Sequence, residues 1–258
     1  MTPSFRKLLD NAVQTNGVPL GTFITSFDPA VSVVLATAGF DFVILDCEHG
    51  PMDRVLALNH VRAASLHGAV PVVRTLENSS QQIQSYFDIG AAAVMVPKIG
   101  DAETARRVAG AARYQAGGRG MCPGCDAARY STEDWPEHVA RSNAGNRVVP
   151  IIETRAGIEN LAEIAAVDGI DVLMFGPGDL SQDMGLNIFT DHARLLTIWE
   201  SFKVIVRDAG KLVMAPLGYG FEGADVAVQE MDLMMLRKAA SDVVNAHREH
   251  ERARVRRD

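Results

Sequence analysis

Positive charge is the first thing this chain of 258 residues is short of: 25 Lys and Arg stand against 32 Asp and Glu, a net of −7. A protein that holds a polyphosphate backbone needs clustered cations. The deficit therefore predicts no nucleic-acid partner. Cysteine is scarce as well, with only Cys47, Cys122 and Cys125. An odd count in a chain of this size argues against a disulfide framework and for a reducing, cytoplasmic compartment. The Cys122-Pro-Gly-Cys125 spacing fits a redox or half-zinc motif, but no second ligand pair accompanies it and it sits among glycines and prolines instead of opening a helix. Long apolar runs are missing too. Charges or glycines interrupt every one before the roughly 20 residues that cross a bilayer, and the opening MTPSFRKLLDNAVQTNG has no basic flank followed by an apolar stretch. Neither a membrane nor an export signal is expected.

What the chain does have is a 47% hydrophobic composition, enough for one large core, and a regular alternation of short β-branched runs with longer helical spacings. The predicted strands are Gly21–Ser26, Phe42–Asp46, Val70–Thr75, Ala93–Pro97, Val148–Thr154, Val172–Phe175, Leu212–Pro216 and Asp232–Leu236. Helices are predicted over Pro29–Ala38, Met52–Leu66, Ser80–Asp88, Ala102–Tyr114, Ile158–Ala166, Ala193–Asp208, a short Gly223–Gln229 and Ala239–Arg254. Asp28-Pro29 reads as a helix start, and Gly39, Gly68, Gly90 and Gly210 as helix ends. Eight strand–helix units close most economically into a single (β/α)8 TIM barrel spanning residues 1–258, an α/β fold. A doubly wound open sheet is the alternative. The connection Gln115–Arg147 is too long for a simple turn and contains a GGRG run at residues 117–120. Five arginines (Arg248, Arg252, Arg254, Arg256, Arg257) end the chain and read as a solvated tail or a subunit contact.

Function in a barrel collects where strands end. Strand two runs into Asp46-Cys47-Glu48-His49-Gly50, strand three ends in Arg74, strand four in Lys98, strand five in Glu153, and strand six runs into Gly176-Pro177-Gly178-Asp179. Each alone is ordinary as a structural residue. Together they are costly to bury unless paired or bound to a metal. Glu153 and Asp179 are hard oxygen donors suited to Mg2+ or Mn2+. Free N–H groups beside Gly178 suit a carboxylate, Arg74 suits a developing oxyanion, and His49 is the natural general base. These parts predict acidification of a 2-oxo acid's methyl group and C–C bond chemistry through an enolate. Lys98 offers a metal-free rival through a Schiff base.

The stretches FVILDCEHG (Phe42–Gly50), Val72–Arg74, FDIGAAAVMVP (Phe87–Pro97), GGRG, Ile152–Thr154 with GIENLAEI, and VDGIDVLMFGPGDLSQDMG (Val167–Gly185) resemble the HpcH/HpaI aldolase family, the class II pyruvate aldolases. The resemblance implies a pyruvate-type barrel. It also implies a divalent metal (Mg2+, Mn2+ or Co2+) on Glu153 and Asp179, and His49 as base with Asp88 raising its basicity. Arg74 would then steady the enolate, and Gly178 and Asp179 would hold the pyruvate carboxylate. Small-molecule partners, a 2-oxo acid and an aldehyde, and a trimeric or hexameric assembly using the C-terminal helix are implied in the same way. Ile151 departs from the family's aldolases, which carry glutamine there. Decarboxylation of oxaloacetate, a citrate-lyase-like reaction, or a non-catalytic barrel used as a binding module are the competing functions.

Overall fold

A computed structural model describes residues 4–255. Eight short strands pair in parallel in chain order, and the last returns to the first, so the sheet is a closed barrel. They are β1 (Leu20–Ile24), β2 (Phe42–Asp46), β3 (Val70–Arg74), β4 (Ala93–Val96), β5 (Arg147–Ile152), β6 (Val172–Phe175), β7 (Leu212–Pro216) and β8 (Val226–Gln229). The helices are α1 (Phe5–Thr15), α2 (Ala30–Ala38), α3 (Arg54–Leu66), α4 (Ser80–Asp88), α5 (Ala102–Ala111), α6 (Trp135–Gly145), α7 (Arg155–Glu159), α8 (Leu161–Ala165), α9 (Pro177–Asp183), α10 (His192–Asp208) and α11 (Asp232–Val255).

Local chemistry explains where many of these begin. Asp53, Ser79 and Asp101 sit in extended backbone just before α3, α4 and α5, and their side chains accept from Leu56, Gln82 and Thr104 N–H groups. Such caps replace helix hydrogen bonds that the first turn lacks. The four glycines predicted to end helices all take positive φ.

Because side chains alternate along a strand, the barrel has two cores. Val43, Leu45, Val73, Val94, Ile152 and Leu173 point outward and pack under the helices. Phe42, Ile44, Val72, Met95, Val149, Ile151, Val172, Met174, Met214 and Val228 point inward and fill the barrel. Phe5 and Leu9 of α1 join this inner core, Phe5 standing edge-on to Phe42 with ring centroids 6.0 Å apart.

The last unit departs from the predicted one. Gly223–Gln229, predicted as a helix, contains β8, and Asp232–Leu236, predicted as a strand, is the first turn of α11. Val226 and Val228 are buried in the inner core, which a barrel-closing strand requires, whereas Leu233, Met234 and Leu236 are exposed. Asp232 accepts hydrogen bonds from the Thr25, Ser26 and Leu233 N–H groups, which fixes the helix start against β1. Four apolar residues in a row do not by themselves tell strand from helix.

The long connection holds a helix of its own, α6, whose Trp135 and His138 pack on Tyr114. The predicted Ile158–Ala166 helix is broken into α7 and α8. Cys122 and Cys125 are free thiols, the first exposed and the second buried. Among the described residues no helix is long and apolar enough to cross a membrane. Arg248, Arg252 and Arg254 lie on α11, while Arg256 and Arg257 fall outside the described residues.

Candidate active site

The inward phase of three strands decides which charges meet. On β2 it runs Phe42, Ile44, Asp46, and on β3 Val70, Val72, Arg74; the phase of β5 runs Val149, Ile151 and continues to Glu153 just past the strand. Each series ends in a charged residue at the C-terminal mouth. Asp46 and Arg74 are also register partners across β2 and β3. Arg74 Nε and Nη2 donate to the two Asp46 carboxylate oxygens at 2.9 and 2.6 Å, a buried fork-on-fork pair. The guanidinium rests 4.6 Å above the Phe23 ring. Burial works against the Asp46 charge, but the Arg74 hydrogen bond and charge outweigh it and hold the carboxyl below its usual range.

Asp46 also shapes the loop that follows. Its Oδ1 accepts from the backbone N–H groups of Glu48 and His49 at 3.0 and 3.2 Å. The chain folds back so tightly that a Cβ at Gly50 would overlap the Asp46 carbonyl oxygen. This turn pushes Glu48 into the mouth, where its side chain is 4% exposed. Neither carboxylate oxygen of Glu48 has a hydrogen-bond partner. Arg74 Nη1, Lys98 Nζ and His49 Nε2 approach only to 3.5, 3.8 and 3.8 Å. Burial raises the Glu48 pKa, Asp179 adds to it, and the cations oppose it.

Glu153 is buried beside them and accepts the Lys98 backbone N–H at 2.8 Å. Burial, reinforced by the charges of Glu48 and Asp179, pushes its pKa up to about 7. Gly176 makes room for it, since a Cβ there would fall 2.7 Å from Glu153 Cβ and 2.9 Å from Oε2. Asp179 stands in the first turn of α9. Glu48, His49 and Asp179 each offer a ligand atom within 4.8 Å of the others. No backbone hydrogen bond takes up the Gly178 and Asp179 N–H groups; the first one inside α9 is Leu180 N–H to the Gly176 carbonyl.

Four carboxylates (Asp46, Glu48, Glu153, Asp179) therefore face two fixed cations, Arg74 and Lys98. With all four ionised, that is an excess of two negative charges, which one divalent cation offsets. The carboxylate oxygens are hard donors, a set for Mg2+, Mn2+ or Co2+ and not for a thiol-seeking metal. No cysteine belongs to this grouping. A model for HpcH/HpaI aldolase/citrate lyase matches residues 20–235.

The chain belongs to that family. The 4-hydroxy-2-oxo-heptane-1,7-dioate aldolase of Salmonella dublin is 35% identical over 205 residues, 78% of this chain and 76% of the relative. Among solved structures, the HpcH/HpaI aldolase of Desulfitobacterium hafniense DCB-2 superposes with a TM-score of 0.84 at 26% identity, covering 93% of this chain and 96% of its own. Citrate synthase SbnG shares the fold at a TM-score of 0.82 and 22% identity, covering 96% and 98%.

Of the residues expected at an HpcH/HpaI site, the structure brings His49, Arg74, Glu153, Gly178 and Asp179 to one mouth. It does not bring Asp88. Asp88 ends α4, which runs back toward the start of β4, so it lies at the opposite end of the barrel from the His49 loop. There its carboxylate receives Arg119 of the GGRG run at 2.7 Å, with that guanidinium stacked 4.2 Å from the Tyr114 ring centroid. The expected His49–Asp88 pair is not formed within one chain. Ile151 lies beneath Glu153 in the inner core. Sequence reasoning gave no role to Asp46 or Glu48, although an aspartate at the last inward position of an otherwise apolar strand was the signal for both.

Proposed function

We propose that the protein is a divalent-metal-dependent aldolase that cleaves a 4-hydroxy-2-oxo acid to pyruvate and an aldehyde, and runs the reverse addition. The observation that carries this reading is the cluster of buried carboxylates at the mouth, with Glu48 left without a hydrogen bond. Glu48 has two buried oxygens unpaired, and Glu153 is pushed toward neutrality by burial and by its neighbours. Buried anions in that state are costly unless a cation joins them.

Glu153 and Asp179, with Glu48 as a third carboxylate, are the residues that would hold Mg2+, Mn2+ or Co2+. Bound there, the ion supplies Lewis-acid polarisation of a 2-oxo acid's keto oxygen. The free N–H groups of Gly178 and Asp179 receive the substrate's carboxylate. Arg74, locked in place by Asp46, keeps Nη1 turned to the mouth, where it stabilises the oxyanion that develops on enolate formation. His49, whose ring is 53% exposed, takes the proton from the C4 hydroxyl in cleavage and returns it in addition. Asp88 can assist His49, as the family resemblance implies, only from another copy of the chain. The exposed face of α11, with Val243 and Val244, is the surface we assign to subunit contacts in a trimer or hexamer.

Two readings compete for the same site. Decarboxylation of oxaloacetate is distinguished by pyruvate release with no aldehyde present. A Schiff base on Lys98 needs a desolvated amine, and the Lys98 side chain is 61% exposed. The test is chelation. EDTA is expected to abolish aldol cleavage, Mg2+, Mn2+ or Co2+ to restore it, and borohydride with pyruvate to trap no adduct. Full activity after chelation, with a borohydride-dependent mass gain on Lys98, overturns the metal reading.

A further inference from the structure

The Cys122-Pro-Gly-Cys125 stretch has no part in the chemistry at the mouth. It lies in the long connection between α5 and α6, where Pro123 and Gly124 form a turn. Proline suits the first central position of such a turn because its ring fixes φ near −65°. A four-residue turn holds its end Cα atoms within about 7 Å, and a disulfide spans Cα atoms about 4.4–6.8 Å apart. The two cysteines therefore stand at the ends of a turn whose size a disulfide matches. Both are free thiols. Among the described residues neither belongs to a grouping that could hold a metal ion, so the pair is left to sulfur chemistry.

The two thiols are not equivalent. Cys122 is exposed, whereas Cys125 is buried at 9% exposure. The chain beyond Cys125 is tied down: its carbonyl accepts the Tyr130 N–H at 3.2 Å, Asp126 pairs with Arg62 of α3, and the Ala127 N–H donates to the Asp88 carbonyl at 3.1 Å. The chain before Cys122 is held as well, since the Arg119 N–H donates to the Arg113 carbonyl at 2.8 Å and its guanidinium, 1% exposed, pairs with Asp88. Arg119 Nε and Nη1 have no hydrogen-bond partner, so a buried cation with spare donors stands in the same loop. Positive charge of that kind favours a thiolate over a thiol. At Cys125 burial prevails and raises the thiol pKa, with the Ala128 N–H and Arg119 opposing it. We propose that Cys122 and Cys125 form a reversible dithiol–disulfide site that takes oxidising equivalents from a small disulfide such as oxidised glutathione. The exposed Cys122 thiolate attacks one glutathione sulfur, forming a mixed disulfide and releasing one glutathione thiolate. Cys125 then gives its proton to water, its sulfur attacks Cys122 Sγ, and the second glutathione leaves. Two protein thiols are oxidised and one glutathione disulfide is reduced.

The test counts thiols in the full-length protein. The reduced chain is incubated with oxidised glutathione, quenched with acid and denatured, and its free thiols are expected to fall from three to one, leaving Cys47. Trypsin releases Gly120–Arg129 with both cysteines in one peptide. That peptide is expected to weigh two hydrogens less than its reduced form, to resist alkylation, and to recover both properties under dithiothreitol. Cys125→Ser is expected to stop at the mixed disulfide, keeping one glutathione on Cys122, and Cys122→Ser to retain both of its remaining thiols. If either variant does not fold, the wild-type peptide decides alone. A count that stays at three, glutathione that accumulates on wild-type Cys122 without ring closure, or a disulfide that joins Cys47 or two chains overturns the proposal.

Discussion

Inside this barrel the lower and upper layers are built from the same strands but obey opposite rules. Below, Phe42, Ile44, Val72, Val149 and Ile151 are close-packed hydrocarbon. Two residues further along the same inward faces stand Asp46, Arg74 and Glu153, a step of roughly 7 Å along a strand. The lower layer contributes stability through burial. The upper layer gathers charges whose burial is unfavourable in isolation, and one carboxylate, Glu48, is left with both oxygens unpaired. One pleat separates what holds the molecule together from what gives it chemistry.

The sharpest way to break that comparison is to change one layer and look for an effect in the other. His49→Ala is expected to lower aldol turnover roughly 10²- to 10⁴-fold, the range for losing a positioned acid or base. Its thermal midpoint should stay near wild type, because the ring is half in solvent and packs little core. A variant that kept wild-type turnover would make His49 a structural residue.

A smaller effect reads the upper layer through pH. Glu153 has its pKa raised from 4.5 to about 7 by burial and neighbouring carboxylates. Between those values the folded metal-free protein binds more protons than the unfolded chain. Its stabilising share is therefore full below about pH 4.5 and lost as pH rises through about 7, on the order of 2–4 kcal/mol. Asp46, held low, works the other way: its stabilising share is present above the ordinary carboxylate range and fades in acid. Urea titrations of chelated protein should show the falling limb between pH 5 and 7, and Glu153→Gln should flatten it while sparing the acid limb. A wild-type profile already flat in that window would mean that Glu153 is solvated.

The smallest expected change lies one layer down. Ile151→Gln places an amide in a fully apolar layer, at a cost of about 1–3 kcal/mol in unfolding free energy. Pyruvate exchange per folded molecule should remain within a few-fold. Loss of exchange with no loss of stability would place position 151 in the chemistry and blur the division between layers.

Much of this division was legible before any coordinates. Strands ending in Asp46, Arg74 and Glu153 announce their last inward position, because a charge that closes an apolar run is tolerable only where the packed layer gives way to water, a partner or an ion. The barrel followed from eight alternations of period. The eighth unit was misplaced because Val226–Gln229 is short and Asp232–Leu236 is apolar enough to pass for a strand; only closure against β1 and β7 separates them. Glu48 stood in plain view without a role, since its burial comes from a turn that Asp46 imposes through backbone hydrogen bonds. Asp88 was assigned to the site on resemblance alone, and helix direction sends it to the other rim.

The central claim is that the carboxylates gathered at the mouth are a divalent-metal site at which pyruvate loses a methyl proton. Its most direct test is the rate at which pyruvate's methyl group takes up deuterium from heavy water, followed by NMR with no aldehyde present. The account predicts exchange that depends on added Mg2+, Mn2+ or Co2+, vanishes with EDTA, and falls sharply in Glu153→Gln. Exchange that is absent with every metal, or undiminished after chelation, would contradict it.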